Sequence, residues 1–212
     1  MFFKPVEYIN IMNEHYFTEN PESKFIVKKL NAVLRGIKME FYNAAGLFSV
    51  KKLDIGTELL INKCIIFKDQ AVLDLGCGCG IVGLALKLYE PSLKLTFSDI
   101  NQRAIEITRK NLKMHNLIAK TVQSNIFDKI NYCFDNIILN PPQTAGKNIC
   151  FKMIKDSKEH LNNNGLLQIV ARHNKGGKEL SKKMLEVFNN VQSIGIKSGY
   201  RIYISFKKVI ND

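Results

Sequence analysis

Three short clusters in this 212-residue chain carry residue types suited to binding a cofactor and transferring a group. The first is Asp74-Leu75-Gly76-Cys77-Gly78-Cys79-Gly80, which follows the apolar run Ala71–Leu75 and enters a helical pattern. Glycines allow positive φ and close backbone approach to a ligand. The helix start adds unpaired N–H groups, so such a loop suits a nucleotide-like cofactor. A pyrophosphate-binding loop reads Gly-x-Gly-x-x-Gly. Here a carboxylate, Asp74, stands just before the first glycine; it would repel a pyrophosphate and suits a cationic amino-acid group. The second cluster is Asp99, at the end of LKLTFSD, where its carboxylate can accept both hydroxyls of a ribose. It also stands where a helix cap would, ahead of NQRAIEI. The third is Asn140-Pro141-Pro142, closing FDNIILN. Exocyclic amines of bases and amides are poor nucleophiles because their lone pair is delocalised. The Asn140 side-chain carbonyl and the Pro141 backbone carbonyl can accept N–H bonds from such an amine. That aims its lone pair and stabilises developing positive charge. The two prolines hold the turn rigid.

These clusters need elements to position them. From residue 57 the chain alternates helical and strand patterns. TELLINKCIIF reads as helix, AVLDL as strand and IVGLALKLYE as helix stopped by Pro91. LKLTFSD is a strand and NQRAIEITRKNLKMHNL an amphipathic helix, apolar at Ala104, Ile105, Ile107, Leu112 and Leu117. KTVQS and DNIILN are strands, and KNICFKMIKDSKEHLNNNG is predicted to be a helix ending at Gly165. LLQIVA is a strand, KGGKELSKKMLEVF a helix, and VQSIGIK with YRIYISF a hairpin around Ser198-Gly199. The alternation predicts an α/β fold: a doubly wound, mostly parallel sheet with an antiparallel hairpin at its C-terminal edge. Asp74, Asp99 and Asn140 all fall at strand ends, where such sheets bind ligands. Residues 1–50 read as a small N-terminal extension with short strands around Arg35-Gly36, and 51–212 as the main domain. Asp54 or Thr57 reads as the N-cap of the first helix.

Composition bounds the function. At 46% hydrophobic and 24% charged the chain is a packed globular protein. It has no apolar run near the roughly 20 residues that span a bilayer, and no signal-type start, so a cytoplasmic protein without membrane partners is expected. The five cysteines are scattered, and Cys77-Gly78-Cys79 lacks a second ligand pair, so neither a disulfide framework nor a metal is expected. The net charge of +12 favours a polyanionic partner, most simply RNA or DNA, with a lysine-rich composition as the plainer reading. The excess is concentrated in residues 172–212, with nine basic and three acidic side chains.

In this order, DLGCGCG, SDI and LNPP resemble class I S-adenosylmethionine (AdoMet)-dependent methyltransferases. The resemblance implies AdoMet as cofactor, with Gly76, Cys77, Gly78 and Gly80 bringing backbone to its amino-acid part. Asp74 would partner its ammonium and Asp99 its ribose. Asn125, after the third strand, stands where an Asp or Asn commonly holds the adenine amine, with Ile126 or Ile100 against the ring. Thr57, in a Gly-Thr pair entering a helix, could bind the methionine carboxylate. More narrowly, GLFSVKKLDIGTELL, VLDLGCGCGIVGLAL, FDNIILNPPQTAGK and HLNNNGLLQIVA are similar to the methyltransferase small (MTS) domain family. That family includes guanine-N2 methyltransferases of small-subunit ribosomal RNA. The closing GYRIYISFK resembles its small archaeal members. The likeness covers roughly residues 43–208. It implies a Rossmann-like seven-stranded sheet and, as target, a guanine amine of ribosomal or transfer RNA.

One departure concerns the target base. The family often carries an aromatic residue after Asn-Pro-Pro to stack on it. This chain has Gln143, opening the hydrogen-bonding stretch Gln143–Lys147, which leaves Phe48 or Tyr200 for stacking. The same Asn-Pro-Pro chemistry would serve adenine N6 or a protein glutamine. A non-catalytic RNA-binding subunit is the third reading, and intact Asp74, Asp99 and Asn140 argue against it.

Overall fold

Val72 to Leu75 are all buried, and this run builds the middle of the molecule as strand β3 (Ala71–Leu75). A strand covered on both faces reads as continuous apolar sequence rather than alternation. In the computed structural model, which describes residues 27–44, 53–142 and 146–208, β3 pairs in parallel with β4 (Lys94–Asp99) and β6 (Phe134–Leu139). Beyond them lie β5 (Lys120–Gln123) on one side and β7 (Leu161–Arg172) on the other. The hairpin β8 (Gln192–Lys197) and β9 (Tyr200–Phe206) closes the second edge antiparallel to β7. The order is β5-β4-β3-β6-β7-β9-β8, seven strands. The chain winds one way from β3 and the other way from β6, so the β3/β6 junction is the switch point of the sheet.

Successive side chains of a strand face opposite sides. Val72, Ile138 and Val170 therefore meet α1 (Ile55–Lys63), α2 (Ile81–Tyr89) and α3 (Gln102–Met114) through Leu60, Leu86 and Ile105. Leu73, Ile137 and Ile169 face α4 (Lys147–Glu159) and α5 (Lys178–Phe188) through Ile154 and Met184. The expected short strands of the extension are β1 (Val27–Leu34) and β2 (Ile37–Ala44). They turn at Arg35 and Gly36, with φ of 49° and 80°, the two left-handed positions of a tight hairpin turn. The hairpin is tied to the main fold. Met39 and Phe41 enter the first core, and Arg35 donates its backbone N–H to Asn62 Oδ1 (2.8 Å) and its Nε to Ile61 O (2.5 Å).

Three expected helix limits are corrected. The first helix runs from Ile55 to Lys63, so Cys64–Phe67 lie outside it. The α4 helix stops at Glu159, not Gly165. Gly165 belongs to β7, where an added Cβ would stand 2.9 Å from Asn162 O and 3.1 Å from Phe134 O. It answers close strand approach rather than helix termination. The last helix begins at Lys178, because Lys175 and Gly176 take non-helical backbone angles in a wide turn after β7.

Candidate active site

Register brings the three clusters together. Leu75 pairs with Ser98 on one side and Leu139 on the other. The next residues, Gly76, Asp99 and Asn140, therefore leave three adjacent strands at the same level. Gly76, Gly78 and Gly80 have φ of 67°, 57° and 75°. An L side chain at Gly80 would be strained by that angle and would put its Cβ 2.8 Å from the Thr108 side chain.

Hydrogen bonds sew this loop to β4 and α3. Gly76 and Cys77 donate backbone N–H to Ser98 O at 2.7 and 2.9 Å. Gly78 donates to Asp99 Oδ2 (2.9 Å), and Thr108 donates to Gly78 O (3.1 Å). Asp99 Oδ1 accepts from Asn101 N (2.9 Å), while Asn101 itself caps α3 by accepting from Arg103 N. The cap is thus Asn101, and Asp99 holds the glycine loop. Asn111 was not legible as a site residue. Its amide donates to Cys79 O and Tyr42 O and accepts from Tyr42 N, joining α3, the loop and the hairpin. The signal was present as a polar residue in line with the buried stripe of Ala104, Ile107 and Thr108.

Asp74 is 4% exposed and accepts from Gly83 N at 2.9 Å. Burial pushes its carboxyl up to about 7; Asp99's charge adds to this and the Gly83 N–H opposes it. A positive group placed beside Asp74 would reverse the shift. Two buried carboxylates around a left-handed glycine loop therefore suit a ligand with a cationic group and hydroxyls. Cys77 and Cys79 are buried in the same loop. Burial raises both thiols, that of Cys79 to about 12, so neither is a thiolate nucleophile.

Asn140 is half-buried, with Pro141 buried behind it, and Cys150 on α4 donates its thiol to Pro142 O at 3.7 Å. The Asn140 amide donates from Nδ2 to Thr57 Oγ1 at 3.0 Å. Asp54 is the N-cap of α1: its Oδ1 accepts from Gly56 N and Thr57 N, and its Oδ2 from the Thr57 hydroxyl. Both Thr57 donors are therefore committed to Asp54. Thr57, expected to contact a cofactor carboxylate, touches Asn140 through the same hydroxyl. Asn125 is exposed at the turn after β5, where Asp128 N bonds to its carbonyl. Ile126 is buried there at φ 52°, a strained angle for a β-branched residue, and Ile100 is half-buried at the end of β4. Of the two candidates for stacking, Tyr200 reaches the site's edge beside Gly56, with the Arg172 guanidinium 5.2 Å above its ring. Phe48 and Gln143 lie outside the described residues. Among the described residues no cluster of three or more His, Cys, Asp or Glu side chains could hold a metal.

This sheet order, with a glycine loop, strand-end acids and an Asn-Pro-Pro turn at its switch point, is the fold of a class I AdoMet-dependent methyltransferase. Residues 38–204 match the model of the methyltransferase small domain, and the chain belongs to that family. It is 34% identical over 205 residues to the uncharacterized protein YbxB of Bacillus subtilis, covering 93% of this chain and all of that one. It is 34% identical over 169 residues to ribosomal RNA small subunit methyltransferase C of Haemophilus influenzae, covering 78% of this chain but half of that protein. A solved structure of the Thermus thermophilus 16S rRNA N2 G1207 methyltransferase with AdoMet and guanosine superposes with a TM-score of 0.74. It is 19% identical and covers 89% of this chain and 52% of that one.

Proposed function

We propose that this enzyme methylates the N2 amine of a guanine in ribosomal RNA of the small subunit, in the cytoplasm. The observation that carries the reading is the common level of Gly76, Asp99 and Asn140 on three adjacent strands, in a chain of the methyltransferase small family. AdoMet would supply an electrophilic methyl group. Asp99 would hold the ribose hydroxyls and Asp74 the ammonium, with the glycine loop shaped between them. The Asn140 carbonyl oxygen accepts one N–H of the target amine, and the Pro141 carbonyl the other, so the nitrogen lone pair is aimed forward. No basic side chain is needed at this step, because the amine's proton becomes acidic only after transfer and can leave to solvent.

The basic end of β7 supports an RNA target. Arg172, Lys175 and Lys178 are exposed around the turn at the same end of the sheet as Asn140, and Lys182 follows on α5. Lys183, another of the nine basic residues of 172–212, is half-buried and ion-paired to Glu186 at 2.5 Å, so it does not belong to this surface. The test is transfer from labelled AdoMet to small-subunit RNA from a strain lacking the gene, followed by nucleoside mass spectrometry. N2-methylguanosine is expected. N6-methyladenosine, or label in a protein glutamine, would replace the reading with one of its alternatives.

A further inference from the structure

Asp54, Thr57 and Asn140 form a chain whose polarity is set by hydrogen count. Thr57 is 2% exposed, so its hydroxyl has no route to bulk water. That hydroxyl has a single hydrogen, and it is donated to Asp54 Oδ2. Toward Asn140 it can only accept. The Asn140 amide must then present its NH2 end to Thr57, at 3.0 Å, which turns Oδ1 the other way. The two ends of an amide have nearly the same shape, so packing alone does not choose between them. The choice matters for the chemistry. An oxygen facing the target amine accepts its N–H and leaves the lone pair free. An NH2 facing it would donate to that lone pair and quench the nucleophile.

We propose that the Asp54–Thr57 pair is a positioning device that sets which end of the Asn140 amide meets the target amine. The proposal rests on the amine-methylation reading of this site. Asp54 starts the polarity because an ionised carboxylate can only accept. It does so from the N-cap of α1, where its other oxygen holds Gly56 N and Thr57 N at 2.8 and 3.1 Å. The cap therefore has two roles, helix start and hydrogen-bond direction, and these can be separated. Asparagine caps helices as well as aspartate does. In Asp54→Asn, however, the amide can donate to Thr57 Oγ1, which turns the Thr57 hydrogen toward Asn140 and favours the reversed amide.

The test is single-turnover methylation of RNA by the full chain, with AdoMet affinity, RNA affinity and thermal midpoint measured on each variant. Thr57→Val, which keeps the shape and loses the hydroxyl, and Asp54→Asn are expected to lower the rate at least tenfold. AdoMet and RNA affinities should stay within about threefold. Thr57→Ser, which restores a hydroxyl, should recover most of the rate. The deciding measurement is coupling: in an Asn140→Ala background, Thr57→Val should cost almost nothing more. A full additional loss in that background, or wild-type rates in Thr57→Val and Asp54→Asn, would overturn the device. Equal loss of AdoMet affinity and rate would also overturn it, in favour of cofactor binding. Failure of the methylation reading itself would show separately, as no transfer to an amine by the wild-type protein.

Discussion

The Tyr200 ring lies so close to Gly56 that a Cβ on that glycine would stand 2.7 Å from Cε1 and 2.8 Å from Cδ1. Gly56 is the second residue of α1, next to Thr57, and Tyr200 begins β9 opposite Arg172. The C-terminal hairpin is thereby fitted against the helix start that touches Asn140. Gly56→Ala has no space: the new methyl would also sit 3.0 Å from Asp54 Oδ1. Overpacking of this kind costs about 1–3 kcal/mol. Chemical denaturation should show that loss together with reduced methyl transfer. Unchanged stability would mean that Tyr200 swings away freely.

Asn140→Ala should cut the transfer rate by about 10²–10³, the usual loss for one positioned hydrogen-bond partner of a reacting group. AdoMet affinity should be nearly unchanged, because the Asn140 amide bonds to Thr57 rather than to the glycine loop. Single-turnover kinetics and calorimetry on the same variant check both halves. A near-normal rate would remove Asn140 from the mechanism.

Asp99→Ala should weaken AdoMet by roughly 1.5–3 kcal/mol, the range for a hydrogen bond to a charged acceptor. Asp99 also anchors Gly78 N, so some of the loss comes from a looser loop. Calorimetry giving wild-type affinity would rule out the ribose contact.

AdoMet affinity should rise with pH across neutrality. In the free protein the Asp74 carboxyl is pushed up to about 7 by burial, so below that pH it holds a proton and cannot pair with an ammonium. The unfolded chain, at about 3.9 for an aspartate, loses that proton earlier. Between those values the folded state binds more protons, so this group's contribution to stability falls as pH rises through about 7. Binding a cation there should release a proton on titration near neutrality. Calorimetry at pH 6 and pH 8 in buffers of different ionisation enthalpy reads both effects. A flat affinity across that range would place the cofactor's ammonium elsewhere.

RNA affinity should fall steeply with salt, by orders of magnitude between about 50 and 200 mM if several phosphates are contacted. Arg172→Ala and Lys175→Ala should each reduce the slope of log affinity against log salt by about one. Lys183→Ala should leave it unchanged, since that ammonium is already paired with Glu186. A salt-independent affinity would make the +12 charge a matter of composition alone.

Much of the fold was legible because local pattern and global role agreed. AVLDL is apolar but for Asp74 because β3 is covered on both faces, and a run of that kind before a glycine loop has few other readings. Arg35-Gly36 and Ser198-Gly199 announced their hairpins because tight two-residue turns need positive φ at both positions. Helix limits were less legible. Asn164, at φ 62°, turns the chain where a continuing helix was expected, and Gly165 reports only how near Phe134 O runs.

In the candidate site, the residue types proposed to bind and react are visible in sequence, because Asp74, Asp99 and Asn140 each end a strand pattern. Their common level is not, since it depends on the pairing of Leu75 with Ser98 and Leu139, from segments 23 and 64 residues further along the chain. Thr57 shows the same limit. As sequence it reads as a helix cap or a cofactor contact, because a hydroxyl can donate or accept. Only the folded chain sets Asn140 against it from 83 residues away, with Asp54 taking its hydrogen, and so decides which end of that amide is left to face a substrate.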